Sequence, residues 1–346
     1  MRPKALLFSL LLLLIVLLQV SPAQSCTRFI YTAGNDQVLT GRSMDWLEDL
    51  KSDFWIFSRG MQRDGGVGKD SIQWTAKYGS VIISGYDAAS ADGMNEKGLV
   101  ANLLYLAESD YGHRNGKPGL SVAAWVQYVL DNYATVNEAV ADLRTEPFRL
   151  VAAHLPNGSA PTLHLAISDP TDDSAIFEYI DGTLTIHHGK KFKVMTNSPI
   201  YERQLALDDY WQEIGGLTML PGTNRASDRY VRASFYVDAL PKFKDTRMAV
   251  SAAFSVIRNV SVPLGITTPG HPNISTTIWR SVFDQKNRIY YYESAISPNI
   301  FWVELKNIDF SASQPPRKLS LKKHPVFAGD VSGKFLPATP FTWLAP

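Results

Sequence analysis

The chain contains one cysteine in 346 residues, which excludes any disulfide within it. Charge is scarce and evenly split: 34 Lys and Arg meet 33 Asp and Glu, 19% of the sequence in all, for a net charge of +1. Such a balance offers phosphates no broad basic surface, and no local basic cluster replaces it, so no nucleic-acid partner is expected. Seven histidines are scattered, and the adjacent pair His187-His188 has no Cys, Asp or Glu at ligand spacing, so no metal is expected. A glycine-rich phosphate loop and a Gly-x-Ser-x-Gly elbow are both missing, which removes nucleotide binding and serine-hydrolase chemistry; no cofactor is implied. What the sequence has is apolar bulk. Its 45% hydrophobic residues and 11% aromatics suffice for a large core and rule out a disordered or fibrous chain.

The longest apolar run opens the chain. Arg2 and Lys4 precede a stretch from Ala5 to Val20, broken only by Ser9 and Gln19, and Ser21-Pro22-Ala23-Gln24-Ser25 follows. A basic start, an apolar middle and small residues at 23 and 25 predict a secretory signal peptide over residues 1–25, cut between Ser25 and Cys26. The run falls short of the roughly 20 residues that span a bilayer, and no later run matches it, so no integral membrane segment is expected after cleavage. A periplasmic or secreted location follows. Loss of Arg2 and Lys4 leaves 32 basic against 33 acidic residues. Asn157, Asn259 and Asn273 each open an Asn-x-Ser triplet, which matters only in a host that glycosylates.

The cut makes the single cysteine residue one of the mature chain. A lone thiol in an oxidising compartment is a liability, so its presence asks for a use. One use is an anchor, with Cys26 as the lipid-bearing residue of a periplasmic binding lipoprotein, although that motif calls for a Leu-like residue where Ala23 stands. The other is catalysis. An amino-terminal Cys carries a thiol of pKa ~8.5 beside its own α-amine of pKa ~7.7 to 8.0, so the amine can take the thiol's proton near neutral pH. The thiolate then attacks an acyl carbon and forms a thioester, provided a carboxylate orients the ammonium and donors face the oxyanion. A turn at Gly34-Asn35-Asp36 between two strand-like segments would return Arg42 and Asp45 to the amine and thiol.

Five segments support the catalytic use: Cys26-Thr27, Gly41-Arg42-Ser43-Met44-Asp45, Asp92-Gly93-Met94-Asn95-Glu96-Lys97-Gly98-Leu99, Asn197-Ser198-Pro199 and Asp228-Arg229-Tyr230-Val231-Arg232. With these, in this order, and with Ser297-Pro298-Asn299-Ile300-Phe301-Trp302 beyond them, the sequence resembles the choloylglycine hydrolases. That family of amino-terminal-nucleophile (Ntn) hydrolases includes penicillin V acylases and conjugated bile salt hydrolases. The resemblance implies Cys26 as nucleophile and base, Arg42 and Asp45 as the pair that orients amine and thiolate, Asn197 as a side-chain oxyanion donor, and Arg229 as a second active-site arginine. Tyr105 falls where the family's penicillin acylases carry an aromatic residue. Its backbone N–H would be the second oxyanion donor, and its ring and that of Trp46 would wall an acyl pocket.

A signal peptide, Tyr105, and only 32 positions from Asn197 to Arg229 resemble the Gram-negative, penicillin V acylase-like branch, some of whose members cleave N-acyl homoserine lactones. The implied activity is hydrolysis of a small-molecule acyl amide, with conjugated bile salts as the alternative substrate. The implied assembly is a homo-oligomer, a homotetramer by resemblance. An inactive relic that only binds acyl amides is a third reading. Without the family context, Asn197-Ser198-Pro199 reads as a turn or cap, Tyr105 as core, Arg229 and Arg232 as a charged helix face, and Gly93 to Gly98 as a turn between strands.

Periodicity gives the layout. Strand-like runs at Arg28–Tyr31, Val38–Ser43, Asp53–Phe57, Ser71–Thr75, Val81–Ser84 and Gly98–Leu106 precede helical segments at Leu120–Asn132 and Val136–Arg144. Strands at Leu163–Ser168, Ser174–Ile180, Leu184–His188 and Phe192–Thr196 follow, then helices at Glu202–Trp211, Arg225–Asp238 and Thr246–Asn259. Strands at Thr276–Phe283, Arg288–Ser294 and Phe301–Glu304 close the pattern. This order predicts an α+β unit of two stacked antiparallel sheets with helices on both outer faces, and the family's four-layer αββα sandwich fits it. No linker or repeat divides residues 26–346, which are expected to form a single catalytic domain; a looser tail begins at Gln314-Pro315-Pro316.

Overall fold

The structure is a computed structural model that describes residues 25–346, apart from positions 114, 156, 157, 159, 216, 217, 267–274 and 298. Residues 1–24 of the expected signal peptide over residues 1–25, the triplets at Asn157 and Asn273, and Pro298 therefore lie outside the described residues.

The predicted hairpin forms from Thr27–Thr32 and Val38–Trp46, with Thr27 opposite Ser43 and Arg28 opposite Arg42. Gly41 permits it, because a Cβ there would lie 2.4 Å from the Phe29 ring that crosses the neighbouring strand. The hairpin sits in a seven-stranded sheet ordered Val194–Met195, Thr27–Thr32, Val38–Trp46, Thr276–Asp284, Ile289–Ser294, Ile300–Glu304 and Gly329–Asp330. Nine strands make the second sheet: Thr183–His188, Ser174–Ile180, Leu163–Ser168, Val100–Tyr105, Ala89–Asn95, Ser80–Gly85, Phe54–Phe57, Arg317–Leu319 and Leu336–Pro337.

The two-residue period turns alternate side chains toward the other sheet. Phe54 of the second sheet meets Tyr290, Tyr292 and Phe301 of the first at centroid distances of 5.0, 5.2 and 5.5 Å. The opposite faces are covered by helices. Trp125–Asn132 and Val136–Leu143 bury Trp125, Val129 and Leu143 with Ile82, Leu165 and Phe177 of the second sheet. Thr246–Asn259 turns Ala249, Val250, Ala253, Phe254 and Ile257 inward at helical spacing, and Asp245 caps it by accepting from the Met248 amide at 3.0 Å. With Ala226–Ala239, it packs on the Phe29, Leu39 and Val282 face of the first sheet. The result is the four-layer αββα sandwich.

Three local expectations differ. The segment from Leu120 is a strand, Gly119–Ser121, and a 3-10 turn before the helix starts at Trp125, because Gly119–Ser121 pairs in parallel with Arg149–Val151. Of Phe192–Thr196, only Val194–Met195 is strand. The tail is not loose. Arg317–Leu319 extends the second sheet beside Phe54–Phe57, and Phe341 packs on Trp55 at 5.4 Å. Lys318 reaches the fully buried Asp53 at 2.7 Å, a cation for a carboxylate that would otherwise be costly to bury.

Candidate active site

Cys26 leads the first strand of the hairpin and is 2% exposed; Ser25, on the other side of the expected cut, is 3% exposed. Its Sγ lies 4.0 Å from Met44 Sδ and 3.7 Å from the Asp45 carbonyl oxygen. Its backbone N donates to Asn197 Oδ1. Asn197 Nδ2 donates to the Tyr105 carbonyl at 2.8 Å, which leaves one of its two amide hydrogens for another acceptor. In an extended strand the N–H and C=O of one residue project to the same side, so the Tyr105 amide faces the edge at which Asn197 sits.

Arg229 is buried on the helix Ala226–Ala239, so the reading of it as part of a solvated charged face is overturned. Its guanidinium donates to Cys26 O at 2.6 Å, to Thr27 Oγ1, to Asn197 Oδ1 at 3.0 Å and to Asn224 O at 3.0 Å. The first strand, the Asn197 segment and the helix thus converge on one side chain.

Arg42 is held from the second sheet. Its ion-pair partner is Asp92, at 3.2 Å, with neither side chain exposed, rather than Asp45. The guanidinium also donates to Ala91 O at 3.1 Å and Leu103 O at 2.8 Å, and it lies 4.8 Å from the Trp279 ring. Asp92 is fixed by Ser281 Oγ and Asn102 Nδ2, each at 2.9 Å. The segment carrying it is the strand Ala89–Asn95, and the turn covers only Glu96 and Lys97. Asp92 is the residue that sequence reasoning missed; the available signal was an acid among the apolar and glycine positions Ala91, Gly93 and Met94. Asp45 has a separate environment, accepting from Thr277 Oγ1 at 2.5 Å and Ser43 Oγ at 3.4 Å.

Trp46 is 8% exposed and donates from Nε1 to Tyr86 Oη at 3.0 Å; Tyr105 is half-buried. Neither lines the cavity of about 450 Å³ that lies between Trp279, Tyr292 and Phe301 of the first sheet and the tail segment Leu321 to Phe327. One of its walls, Trp279, is the strand partner of Met44. Among the described residues no helix is long and apolar enough to cross a membrane.

Burial dominates the electrostatics. It pushes the Cys26 thiol above its ordinary value; Arg42 pulls it back, Asp45 adds to the rise, and Arg229 opposes it. Burial also pushes Asp45 up to about 6, against the attraction of Arg229. Arg229 itself is lowered by burial and held up by Asp45 and the thiol. A thiol kept neutral in this way needs a base at hand. A lipid anchor on a side chain buried among arginines has no support in this arrangement.

This αββα sandwich of two stacked antiparallel sheets is the fold of the Ntn hydrolases. Residues 26–316 match the linear amide C–N hydrolases, choloylglycine hydrolase family, and the chain belongs to that family. It is 50% identical over 343 residues to the penicillin V acylase of Pectobacterium atrosepticum, covering 92% of this chain and 91% of that one. The structure of penicillin V acylase from Agrobacterium tumefaciens superposes with a TM-score of 0.87 at 53% identity, over 93% of this chain and all of that one. A mutant conjugated bile acid hydrolase from Clostridium perfringens shares the fold, with a TM-score of 0.73 at 22% identity over 88% of this chain and 98% of that one. The chain is therefore an enzyme of the linear amide hydrolase type.

Asp92→Ala strands Arg42 as an uncompensated buried charge. Urea denaturation is expected to show a loss of about 3–5 kcal/mol, against under about 1 kcal/mol for Asp238→Ala, which breaks the solvent-exposed pair with Lys193. Equal losses at the two sites would contradict the assignment.

Proposed function

We propose that the chain is an exported acylase that cleaves linear acyl amides of the penicillin V type through a thioester on Cys26. The observation that carries this reading is the hydrogen bond from Cys26 N to Asn197 Oδ1 inside the Arg229 fan. Removal of residues 1–25 would turn that nitrogen into an α-amine, with Asn197 Oδ1 already in place to accept from it. The amine takes the thiol proton, and the thiolate stands near the Arg42 and Arg229 cations. As it attacks the acyl carbon, the developing oxyanion is met by the free Asn197 amide hydrogen and the Tyr105 N–H. The protonated amine then delivers its proton to the leaving nitrogen, and water clears the thioester.

The relatives named as penicillin V acylases at 50% and 53% identity support the penicillin V assignment, as does the aromatic Tyr105. N-acyl homoserine lactones carry the same acyl amide and are proposed as a second substrate class. Trp46 and Tyr105 would hold the acyl group by burial and ring contact. Export through the leader implies a periplasmic or secreted enzyme.

Mature protein incubated with penicillin V or a long-chain acyl homoserine lactone is expected to release amine. Cys26→Ala should release none and Cys26→Ser a weak trace; equal rates in wild type and Cys26→Ala would overturn the reading. The acid side of the pH profile follows from Asp45. In this role it must be ionised to hold the ammonium, and burial raises it to about 6, so kcat/KM should rise with pH through a limb at or below about pH 6. The sign is fixed: the protonated form is the inactive one, and a freed ammonium can only move the limb lower. Asp45→Asn should flatten the limb as well as slow the enzyme, and an unaltered limb in that variant would refute the role.

A further inference from the structure

Asn197 stands in an irregular segment between the strand Val194–Met195 and the helix Tyr201–Ile214, so no ladder of backbone bonds fixes where its amide points. Three buried side chains from other elements hold that segment instead. Gln204, in the first turn of the helix, donates from Nε2 to Asn197 O and to Pro199 O, the latter at 2.6 Å, and its Oε1 accepts from Thr196 Oγ1 at 2.7 Å. His164, in the strand Leu163–Ser168, places Nε2 2.8 Å from Thr196 O and Nδ1 2.9 Å from Glu178 Oε1. Glu178 Oε2 in turn accepts from the Tyr201 amide that opens the helix, at 3.0 Å.

The hydrogen-bond inventory leaves little choice of arrangement. Thr196 O can only accept, so His164 Nε2 carries a hydrogen, and the contact between Nδ1 and Glu178 is closed by one further proton shared between them. His164, Thr196 and Gln204 are 0% exposed and Glu178 is 2% exposed, so water does not substitute for any of these partners. His187, 3.9 Å from Glu178, and the Tyr201 hydroxyl also face the set. His164 and Gln204 therefore grip the carbonyls of Thr196, Asn197 and Pro199.

We propose that Gln204 and His164, backed by Glu178, are positioning residues that aim the Asn197 amide at once toward Cys26 N, Arg229 and Tyr105 O. The inference rests on the acylase reading of the site, but its geometry is independent of the substrate. A shift of about 1 Å in a group that meets the reacting atoms can cost on the order of 100-fold in rate, while substrate affinity is set by other walls.

The test uses Gln204→Met, which keeps length and apolar volume and removes both donors. Its kcat on penicillin V is expected to fall about ten- to hundred-fold with KM within about twofold, and amide hydrogen exchange over residues 196–200 should accelerate. His164→Gln retains one donor for Thr196 O and should lose less. Leu205→Ala, which loosens the same helix without touching the clamp, is the control. A kcat for Gln204→Met equal to wild type, or an equal drop in Leu205→Ala, would overturn the proposal. If wild type itself leaves penicillin V intact, the acylase reading fails, and exchange over 196–200 still decides the clamp: unchanged protection in Gln204→Met refutes it, and selective acceleration supports it.

Discussion

The Arg229 guanidinium, buried and bonded to four acceptors, ties the residue that opens the first strand to a helix more than 200 positions later and to the amide of Asn197. A buried cation is tolerable only where acceptors and opposite charge surround it. Here the Cys26 and Asn224 carbonyls, the Thr27 hydroxyl and the Asn197 oxygen accept its hydrogens, and Asp45 supplies the charge. The same bonds that satisfy the arginine therefore fix the nitrogen of Cys26.

The second arginine does corresponding work on the other face of the hairpin. Arg42 points between the sheets, where Asp92 and two strand carbonyls hold it, and Trp279 lies 4.8 Å away. The thiol thus starts a strand flanked by a guanidinium on either side of its sheet, yet burial keeps it above its ordinary pKa. Under the proposed function, such a site would store a neutral nucleophile and leave its activation to a base on the same residue. Rigid layers above and below keep that geometry from relaxing.

Much of this was legible in the sequence, for identifiable reasons. Strands such as Leu163–Ser168 and Ser174–Ile180 and the helix Thr246–Asn259 have the bounds that alternation and helical spacing predict, because the strands divide their side chains between the two packed faces of the sheet and the helix packs one apolar face. Cys26, Arg42, Asp45, Asn197 and Arg229 were singled out from motif and order, and the fold places Cys26, Asn197 and Arg229 in direct contact. The partner of Arg42 was not legible: Asp92 lies 50 positions away in the other sheet, and only the stacking of the two sheets brings it to 3.2 Å. The tail was misjudged for a similar reason. Pro315 and Pro316 suggested loss of order, whereas the edge of the second sheet and the Asp53 carboxylate provide partners that no local pattern announces.

The central claim is that Cys26 carries the acyl group at the start of the processed chain. Intact-mass and peptide analysis of protein quenched within milliseconds of mixing with penicillin V tests it directly. The account predicts a phenoxyacetyl adduct on a peptide whose first residue is Cys26, formed and lost at the rate of turnover and absent in Cys26→Ala. Turnover with the adduct on another residue, or with residues 1–25 still attached to an active enzyme, would contradict it.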